Sequence, residues 1–506
     1  MENKQNLQKN LPTQALSLSK SVGEQIKPFI NQLAKKFPPA EVFLVGGAVR
    51  DAILNRPTND FDFVVRLVNK AALEKFLATQ GKVSLVGKRF GVFKFRPKLW
   101  EKEEIDIALP RTEHSASLSG AYHDFKIASN AKLNIEADLS RRDFTINAMA
   151  YKISTNLPAY QPTSLLIDPF NGLADINKKI IRAVGDPQKR FQEDYSRMLR
   201  AIRFATQLGF KIETKTWQAI VKGIKNIDKI VDNERIVPAE VIAKELIKTI
   251  SADPVLGLKL LDQSGAIKIL IPELLKMKKC PQPKNFHSEG DCWRHTVLAL
   301  NNLKAKKFKK EFGEVLVPAE IKWGLLFHDI GKPDTIIRAD RLRFNNHDNV
   351  SAQKFCQIAD RLKLASAGLD IDLISKIISK HMLPTHTKSA EMKDTTIEKY
   401  FFNPDFPGRE LLMLIFADIL ATVPPSGRPD FSSYQKLQKH IKKLGKTSLN
   451  KKELPKPLVN GHDLIKKFKL VSSPKIGKYL AILREAQLRG KIKTKDQGLN
   501  YIKKYL

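Results

Sequence analysis

Residues 43–65, FLVGGAVRDAILNRPTNDFDFVV, constrain the fold of this chain more than any other stretch. Phe43 to Val45 is a short apolar run of strand type. The Gly46-Gly47 step after it lets the backbone turn tightly, with no side chain between it and a phosphate group. Ala48 to Asn55 is periodic enough for a helix, so the turn sits at a helix N-terminus, where free N–H groups and the dipole favour an anion, and Arg50 adds positive charge there. Asp60 and Asp62 then stand one residue apart in a second apolar run. In a strand of period two, both carboxylates leave the same face. Such a pair suits Mg²⁺, which can bridge a nucleotide's phosphates and activate an attacking hydroxyl. A Gly-Gly turn alone is common, and Asp-x-Asp alone is often a solvated pair; the combination is far more specific.

Gly-Gly-x-x-Arg-Asp followed at this distance by Asp-x-Asp resembles the head motif of the class II tRNA nucleotidyltransferase and poly(A) polymerase family, within the polymerase-β-like nucleotidyltransferases. The resemblance implies Asp60 and Asp62 as Mg²⁺ ligands and Gly47 and Arg50 beside the triphosphate. Further along, residues 22–37 and 69–79 read as helices, and 83–86, 92–96 and 104–109 as strands, which makes a mixed α+β head. Asp106, in EIDIAL, is a candidate third carboxylate or a strand-end surface residue. Residues 111–130 are polar with weak periodicity and read as a long loop.

The segment DLSRRDFTINAMAY over 138–151 matches the family's second motif, with Arg142 able to fork onto a nucleotide phosphate and Asp143 able to accept from a ribose hydroxyl. DPFNGLAD over 168–175 carries turn chemistry toward a helical neck. In RFQEDYSRMLRAIRFATQLGF, Asp194, Arg197, Arg200 and Arg203 recur every third residue and share one slowly drifting helix face. A carboxylate beside a guanidinium matches the polarity of cytosine or adenine and opposes that of uracil or guanine. The resemblance places incoming CTP or ATP on Asp194 and Arg197, with the later arginines toward sugar and phosphates.

After a Pro-containing stretch that reads as a linker, MKKCPQPKNFHSEGDCW, the chain turns histidine-rich. His295, the His328-Asp329 doublet and Asp418, with His347 and His381, resemble the ligand set of an HD-type metal-dependent phosphohydrolase. Imidazoles and carboxylates suit Mg²⁺ or a transition metal such as Mn²⁺, Ni²⁺ or Co²⁺. The plain reading of each alone is a satisfied core histidine.

At 506 residues the chain is too long for one core. Its 87 basic and 53 acidic side chains leave a net charge of +34, which suggests a polyanionic partner. The last 76 residues hold 20 Lys and Arg against 4 Asp and Glu, a net +16, and resemble the C-terminal end of bacterial tRNA nucleotidyltransferases. Three cysteines without a CxxC pair fit a reducing cytosol. The polar opening lacks a signal-peptide core, and no later run has the ~20 apolar residues of a membrane span.

The expected organisation is a disordered lead (1–21), a nucleotidyltransferase head (22–170), a helical neck (171–280), an HD domain (281–427) and a basic helical tail (428–506). The expected activity is addition of C, C and A to tRNA 3′ ends from CTP and ATP in the cytoplasm, with metal-dependent phosphoester hydrolysis at the HD site. The alternatives are a poly(A) polymerase and a CC- or A-adding specialist.

Overall fold

The two apolar runs around the glycine turn become neighbouring central strands. β1 (Glu41–Val45) and β2 (Asp62–Arg66) pair antiparallel, with Val45 opposite Asp62. Their interior residues are buried one after another rather than alternately, because both faces of the sheet are covered. One face packs Phe43, Val45 and Val64 against Ile135, Leu139 and Ala148. The alternate residues Val42, Leu44, Phe63 and Val65 are buried as well. The computed structural model describes residues 23–58, 60–86, 92–98, 104–115, 125–153, 166–384, 392–446 and 454–506; the lead expected over 1–21 lies outside them.

Five further strands complete the sheet in the order β3-β4-β5-β2-β1-β8-β9. They are β3 (Gly81–Val86), β4 (Val92–Pro97), β5 (Ile105–Ala108), β8 (Ala150–Ile153) and β9 (Leu166–Ile167). Only β2 and β5 run parallel, and their register sets Asp62 opposite Asp106. The mixed sheet and the helices after it give the α+β architecture expected.

Three local expectations change. β2 starts at Asp62, so Asp60 lies just ahead of the strand, where its amide bonds to the Thr58 hydroxyl at 3.2 Å instead of to a neighbouring strand. The long loop over 111–130 begins and ends as a hairpin, β6 (Arg111–Ser115) against β7 (Phe125–Ser129), and residues 116–124 lie outside the described ones. Backbone pairing satisfies this polar segment without the apolar alternation that marks a half-buried strand. The neck segment is not one helix. Pro187–Glu193 and Ser196–Leu208 are separate, and Asp194 between them is extended, its carboxylate accepting from the Ser196 amide at 2.8 Å.

The chain falls into two compact units, Met1–Ile269 and Leu270–Leu506. In the first, Ser196–Leu208 buries Met198, Leu199, Ile202 and Ala205 and packs on the Ala239–Ala252 helix. Two-residue ladders, such as Ile180–Ile181 with Lys211–Ile212, interrupt an otherwise helical region. In the second unit, helices Cys292–Asn302, Ala319–Phe327, His347–Arg361, Ile371–Lys380 and Gly408–Ala421 surround Trp323, Phe327 and Phe355, all fully buried. A smaller core of Val459, Leu464, Ile476, Leu483 and Ile502 joins the last three helices. Among the described residues no helix is long and apolar enough to cross a membrane.

Candidate functional site

In the first unit a cleft of about 870 Å³ gathers all the residues expected to act on a nucleotide. Asp60, Asp62 and Asp106 line one part of it, Gly47, Arg50, Arg142 and Asp143 another, and Asp194, Arg197, Arg200 and Arg203 the side formed by the neck. Gly46 shapes the turn: its φ of 73° is in the left-handed region, and a Cβ there would lie 2.5 Å from an Arg142 guanidinium nitrogen. Glycine therefore lets Arg142 cross the turn toward Asp62. Arg142 Nε is buried without a hydrogen-bond partner among the described residues, while Nη2 sits 3.4 Å from Asp138.

The carboxylate trio is electrostatically uneasy. Burial pushes the Asp62 carboxyl up to about 6; Arg142 opposes the rise, and Asp60, Asp106 and Asp138 add to it. Asp106 is raised too, by burial first, with Lys94 pulling the other way from 3.8 Å. Hard oxygen donors whose ionised forms are held unfavourably fit a divalent cation, which would remove the repulsion. A proton would compete with such a cation for Asp62. Above about pH 6 the carboxylate is free to bind; below it, the cation concentration for half-maximal binding should rise roughly tenfold per pH unit. A requirement that stays flat between pH 5 and 8 would contradict this placement of Asp62.

The neck side is a ladder of carboxylates and guanidiniums. Asp194 Oδ2 lies 4.0 Å from Arg197 Nε, and Arg197 also holds Glu193 and the Arg190 and Arg141 carbonyls. Arg200 forks onto Asp143 at 2.9 and 2.6 Å, and Arg203 reaches Glu245 at 2.5 Å and lies over the Phe204 ring. Burial raises the Asp143 carboxyl, but Arg200, Asn147 and Arg197 outweigh it and hold it at about 2. Asp143 is thus an ionised acceptor bonded to Arg200 in the wall of the cleft. Arg50 is similarly engaged, by both Asp51 oxygens and by Asn147 at 2.6 Å. Asn147, Arg141, Glu245 and Lys248 also line the cleft and were not singled out from sequence. Asn147 belongs to the FTINAMA run that drew attention to Arg142, but Glu245 and Lys248 carry no local signal.

In the second unit all six expected metal-site residues converge. His295, His328 and Asp418 form one group and Asp329, His347 and His381 another, with the candidate ligand atoms of each within 4.8 Å of one another. His295 Nε2 is 2.8 Å from Asp418 Oδ1, and His347 Nε2 is 3.4 Å from Asp329 Oδ1. Gly331 makes the approach possible, because a Cβ there would meet the His347 carbonyl at 2.6 Å. The Nδ1 atoms of His328, His347 and His381 lie 2.7, 2.8 and 2.7 Å from backbone carbonyls, which can only accept. Each Nε2 is therefore left to face the centre, and that of His328 is buried without a hydrogen-bond partner among the described residues. Imidazole nitrogens facing the carboxylates of Asp329 and Asp418 fit divalent metal ions.

Burial lowers His295, but hydrogen bonds to Asp418 and Glu289 outweigh it and lift it to about 9, whereas burial with His347 and His328 nearby drives His381 to about 3. Glu289 and His287 come from the stretch expected to be a linker. It folds against this centre instead, with Ser288 N donating to Val423 O at 2.7 Å and Val423 N to Glu289 at 3.1 Å. The spacing His287-x-Glu289 six residues ahead of His295 was the available signal.

Residues 42–182 match the family described as poly A polymerase head domain, 209–278 the probable RNA and SrmB-binding site of polymerase A, and 302–412 the HD domain family. His295 and Asp418 lie just outside the last range and are brought into the centre by the fold. The chain is 32% identical to a multifunctional CCA protein of Haemophilus ducreyi, over 71% of this chain and 79% of the relative. It is 31% identical to one of Shewanella frigidimarina, over 75% and 83%. In fold it is similar to the Bacillus stearothermophilus CCA-adding enzyme in complex with CTP, with a TM-score of 0.59 at 21% identity, covering 94% of this chain and 95% of the other. The Thermotoga maritima CCA-adding enzyme complexed with tRNA gives 0.56 at 22% identity, covering 96% and 98%.

Proposed function

This chain belongs to the multifunctional CCA protein family, and from that premise we propose how its residues divide the work between two sites. It is a tRNA nucleotidyltransferase that adds CCA to tRNA 3′ ends from CTP and ATP. Both the nucleotidyltransferase head and the HD family it matches use divalent metals as a rule. Mg²⁺ is the ion for the head, where it would draw triphosphate oxygens and the attacking 3′ hydroxyl together. Asp60, Asp62 and Asp106 are its holders. Gly46-Gly47 and Arg142 receive the triphosphate, and Arg200 and Arg203 keep Asp143 and Glu245 neutralised so that this wall does not repel it. The observation that carries this reading is the single cleft joining the carboxylate trio to the Asp194–Arg197 pair. The segments 22–170 and 171–280 supply this site, 281–427 the second, and the basic 428–506 follows the RNA backbone by charge. Three free cysteines fit a reducing, cytoplasmic setting.

Asp194 and Arg197 select the base by hydrogen-bond polarity. Replacing either by Ala should relax selection of CTP and ATP over UTP and GTP by about 1 to 3 kcal/mol, roughly 5- to 150-fold. Competition between labelled nucleotides on tRNA lacking its 3′ end measures this. Slower addition with unchanged selectivity would reduce the pair to positioning the nucleotide.

The HD centre hydrolyses phosphoesters. Its six ligands would hold divalent ions that supply an activated water, and 2′,3′-cyclic nucleotides and simple phosphomonoesters are the substrate class.

A further inference from the structure

We propose that Asp138 is a positioning residue for nucleotide addition: it holds the Arg142 guanidinium on the cleft wall for a triphosphate and keeps it from closing onto the Asp62 carboxylate. The inference rests on reading Arg142 as a triphosphate contact, and it adds the residue through which that contact is set. Asp138 lies on the short helix Ile135–Ser140, and its side chain is fully buried. Its Oδ1 accepts from Arg141 Nε and Nη2 at 3.1 and 2.8 Å and from the Arg111 amide at 3.4 Å. These donors, from two segments, fix the carboxylate plane, so Oδ2 is a post that cannot turn away. Burial would raise this carboxyl, but Arg141 and Arg142 outweigh it and hold it below the usual carboxylate range. The post is therefore charged.

Arg142 uses it. Its Nη2 lies 3.4 Å from Asp138 Oδ2, the only hydrogen bond the guanidinium makes among the described residues. The other terminal nitrogen, Nη1, crosses the glycine turn, where a Gly46 Cβ would lie 2.5 Å from it and 3.5 Å from Asp62 Oδ2. Arg142 thus stands between two carboxylates, one anchored and one in the trio that suits a cation. With Asp138 uncharged, the attraction to Asp62 is unopposed, and the guanidinium that should meet a phosphate pairs with a metal-holding carboxylate instead.

The test is steady-state addition by the full-length chain on tRNA lacking its 3′ end, with CTP and ATP varied at saturating Mg²⁺. Asp138→Asn keeps the shape and an acceptor for the Arg111 amide but loses the charge. It should raise KM for both nucleotides by about tenfold and leave kcat within about threefold. Arg142→Ala should raise KM at least as far. Adding Asp138→Asn to Arg142→Ala should then change KM by less than about twofold, because Asp138 acts through Arg142. If Asp138→Asn does not keep the wild-type melting transition, Arg142→Lys carries the test. One ammonium cannot hold Oδ2 and face the triphosphate at once, so KM should rise nearly as far as in Arg142→Ala. Wild-type KM in folded Asp138→Asn, a fall confined to kcat, or effects of the two substitutions that multiply would overturn the inference while sparing the triphosphate reading. So would wild-type KM in Arg142→Lys. Wild-type KM in Arg142→Ala would remove that reading, and the inference with it.

Discussion

Asp62→Ala is expected to lower nucleotide incorporation by about 1,000-fold or more while tRNA retention stays close to wild type. Asp62 lies at the end of β2, opposite Val45 on one side and Asp106 on the other, so its carboxylate is fixed by the two central pairings of the sheet rather than by a loop. A bound cation contributes several kcal/mol to stabilising charge in phosphoryl transfer, and each tenfold in rate is worth about 1.4 kcal/mol. Losing the cation's best-held ligand therefore costs three or more decades. The fold should survive, because the removed carboxylate is one that burial makes costly to ionise. Asp60→Ala should act in the same direction. Substantial turnover in either variant, with the added cation at saturation, would move the metal site elsewhere.

The second large effect is a separation. Substituting His328 and Asp329 together by Ala should eliminate divalent-metal-dependent hydrolysis of 2′,3′-cyclic nucleotides or phosphomonoesters and, in protein that keeps the wild-type fold, leave incorporation within about twofold, as for sites that share no partners. The doublet contributes one candidate ligand to each group of the centre and belongs to the second compact unit, while every residue lining the cleft belongs to the first. Wild-type protein inactive on these esters with Mg²⁺, Mn²⁺, Ni²⁺ and Co²⁺ would make the centre structural. Loss of incorporation in a folded doublet variant would show that the two activities are coupled.

What could be read from the sequence was what short-range geometry sets. The glycine turn between a strand and a helix and the spacing of Arg197, Arg200 and Arg203 follow from strand and helix periods alone, whereas Asp60 lies just ahead of β2 and does not owe its place to the strand period. The rest depends on pairings between distant segments. Asp106 becomes a neighbour of Asp62 only through a parallel register across 44 residues, and Arg203 meets Glu245 across 42. The helix break at Asp194 was hidden because a three-residue recurrence runs through it; the side chain that accepts from the Ser196 amide was the clue. The supposed linker misled for a different reason. Its prolines mark irregular backbone, but irregular backbone can still be packed, and here it delivers His287 and Glu289 to a buried centre.

The most direct test of the central claim is incorporation on a tRNA transcript that ends before its CCA, offered each of the four labelled nucleotides singly and together, with the products sequenced. Two C residues followed by a single A, with no stable product from UTP or GTP, is the expected result. A tail of many A residues, a stop after CC, addition of A alone, or no extension would contradict the account.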